Sequence, residues 1–354
     1  MMSRLSTALG ITRDLVMARL GRGHPLYLVH ALTARCNARC GFCAWSPEFY
    51  DPKAQLPTEA IKQLYTDARQ AGFLGLSVWG GEPLLHRDFD DIMRHAHGLG
   101  LVTNMVTNGF LLERKLDAVI PYVDRICISV DHPSSVHDEL RGIAGLFERI
   151  VSTTKALRAR APKKPIVWIC TLQRANVDPA TLRELVKLTA ELGVLGIYNG
   201  LREEAATADP DAGLAEYAPT QEQLDVAYAA LRELKEQGYP VLNSVTHMEL
   251  MRKGPPVYRC HWPKFMLPIE ANGDVVDCMH WGTRPVANLR QTPFAEVLKH
   301  PRLRALAGPA GESCHKCVSI HRVELSEVCG GNLEPVRSWT RLRRPPAPMA
   351  GVRS

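Results

Sequence analysis

Three cysteines, Cys36, Cys40 and Cys43, fall within eight positions of one another in "ARCNARCGFCAW", residues 34–45, and Phe42 directly precedes the last of them. Thiolate sulfur is a soft ligand suited to zinc and to iron–sulfur clusters. A structural zinc normally closes with a fourth Cys or His, and this four-then-three spacing is not a usual knuckle or ribbon pattern. Three thiolates can instead ligate three irons of a [4Fe–4S] cluster and leave the fourth iron open for a substrate or cofactor. A second set follows much later: Cys260, Cys278, and then Cys314 and Cys317 as C-x2-C. These four could surround one cluster, and they would satisfy a zinc ion equally well.

Elements of secondary structure must bring such residues together. From residue 25 the chain alternates strand-like and helix-like segments. "PLYLVHAL" reads as a strand, and Thr58 opens a helix through Ile61, Leu64, Tyr65 and Ala68 that stops at Gly72. "LGLSVW" is a second strand, after which Asp88 is placed to cap a helix carrying Phe89, Ile92, Met93 and Ala96. Strands follow at "LVTNMVT", "RICISV", "PIVWICTL" and "VLGIYNG"; before the last, Asp178 and Pro179 start a helix that Gly193 ends. Six such repeats predict an α/β fold with a parallel sheet, open or curled into a partial (β/α)6 TIM-like barrel, over residues 25–240. Chemistry is then expected at the carboxyl edge of the sheet.

Composition excludes several function classes. At 354 residues with 23% charged residues, the chain can bury a large core. Its net charge is +6, but Arg337, Arg341, Arg343, Arg344 and Arg353 lie in an acid-free tail, and the body is close to neutral without them. No general footprint for nucleic acid remains. That Pro- and Arg-rich tail, within 331–354, is expected to be disordered. Ten cysteines without a secretory leader predict a reducing, cytoplasmic location. Charges at Arg4, Arg13, Asp14 and Arg19 break the first twenty residues, which are neither a signal peptide nor a membrane span. Residues 1–24 read as an amphipathic segment that packs on the body or touches a membrane surface peripherally.

The residues at the predicted sheet edge carry a resemblance. Gly80, Gly81, Glu82 and Pro83 follow the second strand, Thr107, Asn108 and Gly109 the third, and Ser129 and Asp131 close the fourth. The triplet C-x3-C-x2-[aromatic]-C resembles the signature of the radical S-adenosylmethionine (SAM) enzymes. In that context "GGEP" is similar to the family's segment for the SAM amino group, and "SVD" to its ribose-contacting segment. "HDELRG", residues 137–142, is similar to a stretch whose arginine, here Arg141, meets the SAM carboxylate. The resemblance implies that Cys36, Cys40 and Cys43 hold a [4Fe–4S] cluster whose open iron binds SAM. Reductive cleavage then gives methionine and a 5′-deoxyadenosyl radical that abstracts hydrogen from a substrate, while the protein positions the partners and excludes water. The electron is expected from a flavodoxin or ferredoxin.

The second cysteine set, with a hairpin signal at Asn272-Gly273, is similar to the twitch domain, a one-cluster relative of the SPASM domain, over residues 241–330. One auxiliary [4Fe–4S] cluster on Cys260, Cys278, Cys314 and Cys317 is implied, with structural zinc as the rival. Cys127 and Cys170 read as small buried hydrophobes, Cys329 as a free thiol, and Tyr198, Asn199, Glu203 and Glu204 as pocket candidates. By resemblance, the expected activity is oxidation or epimerisation of a small or medium-sized molecule. A peptide maturase, disfavoured by the short segment before the barrel, and a lipid-modifying enzyme are the alternatives; a non-catalytic iron–sulfur or zinc protein is the reading from another class.

Overall fold

The computed structural model describes residues 25–43, 55–201, 214–254, 258, 260–278, 285–303 and 317–340. Six strands alternate with helices: β1 Tyr27–Thr33, α1 Thr58–Gln70, β2 Gly75–Gly80, α2 Phe89–Gly98, β3 Val102–Thr107, α3 Leu116–Tyr122, β4 Arg125–Ser129, α4 Val136–Arg141, α5 Leu146–Arg160, β5 Ile166–Leu172, α6 Pro179–Glu191 and β6 Leu195–Gly200. Further elements are α7 Gln221–Glu236, α8 Val245–Arg252, β7 Met266–Ile269, β8 Asp274–Val275, β9 Ala287–Asn288, α9 Phe294–Val297, α10 Ile320–Cys329 and α11 Glu334–Thr340.

Helix starts and stops follow local chemistry. α1 buries Ile61, Leu64, Tyr65 and Ala68, one stripe at helical spacing. Asp178 caps α6 by accepting from the Thr181 amide at 2.9 Å, with Pro179 at the first helical position, and Gly193 takes the positive φ of 62° that ends it. Asp88 departs from expectation. It stands at the N-cap of α2, but its carboxylate accepts from Thr58 Oγ1 at 2.5 Å and makes no cap bond. It therefore ties the starts of α1 and α2 together.

Strands β1 to β6 lie in sequential order and pair in parallel throughout. Crossovers of one hand then place the helices on one face, and the sheet curls as a partial TIM-like barrel. Side-chain alternation separates two cores. Leu76, Val78, Ile126, Ile128, Trp168 and Cys170 pack outward against the helices. Cys127, Val167, Leu195 and Ile197 face the other way, with Leu242 and Ile320 among them. Cys127 and Cys170 are both buried, on opposite faces.

The cysteine-bearing segment shares this sheet. β7 pairs in parallel with β1, and β8 and β9 continue antiparallel, with Gly273 at φ 92° in the turn between β7 and β8. The edge of β1, which would otherwise carry unpaired backbone groups, is thereby covered.

Residues 331–340 depart from the expectation for the tail, because they contain helix α11. Glu334 accepts from the Val245 and Thr246 amides at the start of α8, and Trp339 Nε1 donates to Glu324 at 2.6 Å. An anion at a helix N-terminus and a half-buried indole bond order a stretch whose composition alone suggested disorder. Residues 1–24, Glu203, Glu204, Cys314 and 341–354 lie outside the described residues.

Candidate active site at the carboxyl edge of the barrel

The loop that follows β1 is held by the end of β2. The Gly81 amide donates to Thr33 O at 2.9 Å and the Glu82 amide to Arg35 O at 2.7 Å. This seam requires glycine. A Cβ on Gly81 would lie 2.2 Å from Arg35 O, and one on Gly80, where φ is 129°, would lie 2.4 Å from Thr33 O. The pair therefore lets two backbones touch next to Cys36.

Below that seam Glu82 is fully buried. Its carboxylate accepts from the Leu84 amide at 3.1 Å, from Thr107 Oγ1 at 2.8 Å and from the Asn108 amide at 2.7 Å. Burial raises its pKa to about 7, against the opposing pull of those three bonds. One side chain thus joins the ends of β2 and β3. It fixes Asn108, whose amide group donates to Asn37 Oδ1 at 2.9 Å beside Cys36.

The far side of the loop is held by α4. The Arg39 amide donates to Arg141 O at 2.9 Å, and Gly142, at φ 64°, leaves room where a Cβ would lie 2.8 Å from Arg39 Cβ. Asp131 is buried and accepts from Arg141 Nε at 2.7 Å and from the Thr171 amide at 2.9 Å. Arg141 lies over the Phe42 ring, 5.0 Å from its centre, and directs Nη1 toward Cys40 Sγ at 3.8 Å. Burial works against its charge, but Asp131 and Cys40 outweigh that and raise its pKa.

Cys36, Cys40, Cys43, Gly80, Gly81, Asn108, Ser129 and Arg141 all line one cleft, with Trp79, Val106 and Thr107 between them. Phe42, Glu82 and Asp131 lie outside that lining and hold it in place, and Pro83, also outside it, begins the turn that follows Glu82. Burial pushes the Cys36 thiol up to about 11 and raises that of Cys40, with Arg141 opposing the shift at Cys40. Three sulfurs facing one cleft beside a fixed cation are a donor set that suits a three-thiolate cluster with an open iron. Sequence reasoning missed Trp79 and Tyr217. The Tyr217 hydroxyl would lie 2.0 Å from a Cβ at Gly41, and its ring lies 6.2 Å from that of Phe42. No motif marks either residue.

One cysteine of the second set bonds a cation, and two more lie within its electrostatic reach. Arg322 donates from Nη1 to Cys317 Sγ at 3.1 Å, and Cys317, Cys278 and Cys260 all favour its charge. Cys260 and Cys317 are buried, and Tyr258 donates to Cys317 O at 3.2 Å. Sulfurs grouped about a half-buried cation suit an anionic thiolate-bound centre. Next to it, the Ile320 amide donates to Asn199 Oδ1 at 3.0 Å, and its side chain enters the inner core of the barrel. Tyr198, expected near a pocket, is buried against the helices instead. Among the described residues, no helix is long and apolar enough to cross a membrane.

Comparison with known proteins agrees with both centres. Residues 31–189 match the Radical SAM superfamily, and residues 260–318 match the SPASM iron–sulfur cluster-binding domain. The chain is 27% identical to pre-heme d1 synthase of Dinoroseobacter shibae, with 89% of this chain and 83% of that protein covered. It is 29% identical to PqqA peptide cyclase of Methylocella silvestris, covering 83% of this chain and 80% of that protein. Among solved structures, the fold is similar to Streptococcus suis SuiB bound to precursor peptide SuiA, with a TM-score of 0.65, 16% identity and coverage of 86% of this chain and 72% of that one. It is also similar to anSMEcpe with bound AdoMet, with a TM-score of 0.61, 14% identity and coverage of 90% and 98%. The chain belongs to the radical SAM superfamily: it is an enzyme of that family with a [4Fe–4S] cluster and SAM in its barrel and an auxiliary iron–sulfur cluster in a C-terminal SPASM domain.

Proposed function

We propose that the enzyme oxidises a small or medium-sized organic molecule, with the auxiliary cluster as the electron acceptor. In this reading Cys36, Cys40 and Cys43 hold the first cluster, and Cys260, Cys278, Cys314 and Cys317 hold the second. When loaded, the first cluster supplies the electron that cleaves SAM, and the resulting 5′-deoxyadenosyl radical takes a hydrogen atom from substrate. Arg141, pinned by Asp131, would receive the SAM carboxylate. Gly80, Gly81 and Asn108 would border its methionine portion, and Ser129 would lie toward its ribose.

The observation that carries the oxidative reading is the position of Ile320. Only two residues separate it from Cys317, yet its side chain lies among Val167, Leu195 and Ile197 on the inner face of the barrel. Its amide also donates to Asn199 Oδ1, near the carboxyl end of β6, so the start of α10 is held against the inner face of the barrel, which supports reading the second thiol set as part of one catalytic unit with the barrel. An epimerisation would begin with the same hydrogen removal, but it would return a hydrogen and need no acceptor.

The name of one relative, PqqA peptide cyclase, supports a peptide substrate as a second reading, whereas that of pre-heme d1 synthase supports a small molecule. Anaerobic extract divided by ultrafiltration separates the two. Low-mass filtrate that stimulates 5′-deoxyadenosine release, and survives protease treatment, supports the small-molecule reading. Stimulation confined to a protease-sensitive fraction rejects it. A flavodoxin or ferredoxin is the proposed reductant, checked by replacing dithionite with either protein in the same assay.

A further inference from the structure

We infer that Arg322 sets the reduction potential of the auxiliary cluster by donating a hydrogen bond to the sulfur of Cys317. This rests on the reading that Cys317 is a ligand of that cluster. Arg322 lies in the first turn of α10, five positions after Cys317. The helix begins as the chain leaves the cysteine, so its first turn brings the guanidinium back over the sulfur, with Nη1 3.1 Å from Cys317 Sγ.

A second contact fixes the guanidinium. Its centre lies 4.9 Å from that of the Trp262 ring, and Trp262 is itself buried two positions after Cys260. The plane is thus held between an indole face and a thiol, an arrangement that a flexible lysine ammonium would not reproduce. Among the described residues Arg322 has no carboxylate partner. The groups that favour its charge are the sulfurs of Cys317, Cys278 and Cys260.

An N–H donor on a ligating sulfur draws electron density away from iron, and a nearby fixed cation stabilises an added electron. Both effects raise the potential of an iron–sulfur centre. A higher potential makes the cluster a better acceptor for an electron leaving substrate, which connects this side chain to the proposed oxidation.

The experiment uses full-length protein in which Cys36, Cys40 and Cys43 are replaced by Ala, so that only the auxiliary centre is present. Iron and zinc are measured first: a colourless protein containing zinc overturns the cluster reading itself, before Arg322 is touched. With the cluster present, Arg322→Gln and Arg322→Lys are titrated against redox mediators and followed by electron paramagnetic resonance. The expected result is full iron content and a potential shifted downward, with the reduced-to-oxidised ratio at fixed solution potential lowered about tenfold, equivalent to about 59 mV for one electron. An unchanged potential with full iron in both variants overturns the inference. So does loss of iron from both, which would make Arg322 a structural support for the centre.

Discussion

Asp131 and Arg141 form a buried ion pair, with Nε 2.7 Å from Oδ2, and the same guanidinium reaches toward Cys40. Asp131 is anchored in turn by the Thr171 amide near the carboxyl end of β5. The pair converts the stiffness of β4 and β5 into a fixed cation at the cleft. Asp131→Asn removes the charge while keeping the shape. Removing one partner of a buried pair costs about 3–5 kcal/mol, and the neutral amide moderates that loss. We expect a folded but less stable protein whose SAM affinity falls at least about tenfold, or about 1.4 kcal/mol. Equilibrium binding of SAM to the reconstituted enzyme checks this, and unchanged affinity would show that Arg141 needs no such anchor.

Replacing Cys36, Cys40 or Cys43 by Ala is expected to abolish release of 5′-deoxyadenosine from SAM under strong reductant. Each sulfur lines the cleft, and a three-thiolate site has no ligand to spare. Sustained turnover in any one of the three variants would sink the assignment.

Gly81→Val should lose iron as well as SAM binding. From sequence alone a side chain at this position would be expected to obstruct only the cofactor. The structure places a Cβ 2.2 Å from Arg35 O, inside the backbone seam that holds the cysteine loop. Iron analysis of the purified variant tests this; full iron with weak SAM binding would return the glycine to a direct cofactor role.

Wild-type protein reconstituted anaerobically should contain about eight irons, and the triple Cys36, Cys40 and Cys43 to Ala variant about four, as two four-iron clusters require. Cys260→Ala should then reduce substrate turnover far more than uncoupled SAM cleavage. Equal loss of both activities in a folded variant would speak against an electron acceptor at this centre.

His247 couples stability to pH. It is fully buried, shares a bond with Asn243 at 3.1 Å, and has Nε2 3.3 Å from Val318 O, next to Cys317. Burial lowers its pKa from 6.5 to about 4. The fold therefore favours neutral imidazole: its contribution is complete above pH 6.5 and is lost as pH falls toward 4. The loss is of order 3 kcal/mol by linkage. His247→Gln cannot titrate and should flatten the fall in unfolding free energy across that window. An unchanged slope would assign the acid sensitivity to other groups.

The order of strands and helices was legible in the sequence because its causes are local. Apolar residues recur at helical or strand spacing, Asp178 and Pro179 start a helix, and Gly193 ends one within a few residues of the groups they serve. The cysteine spacing and "GGEP" pointed to the chemistry for the same reason: one loop and one turn hold them. Only the tertiary structure decided what lies between those pieces. Arg141 approaches Cys40 across 101 positions, and the carboxylate of Asp131, which closes the segment expected to contact ribose, binds Arg141. Glu82 became a joint between two strand ends, Gly81 a contact between backbones, and Trp339 the anchor of a tail that composition had marked as disordered. Arg322 had no motif at all; its role depends on a helix turning it onto Cys317 and on Trp262 behind it. Short-range periodicity determines the elements, but the partner of a buried charge is chosen by packing among groups distant in the chain, and no local pattern records that choice.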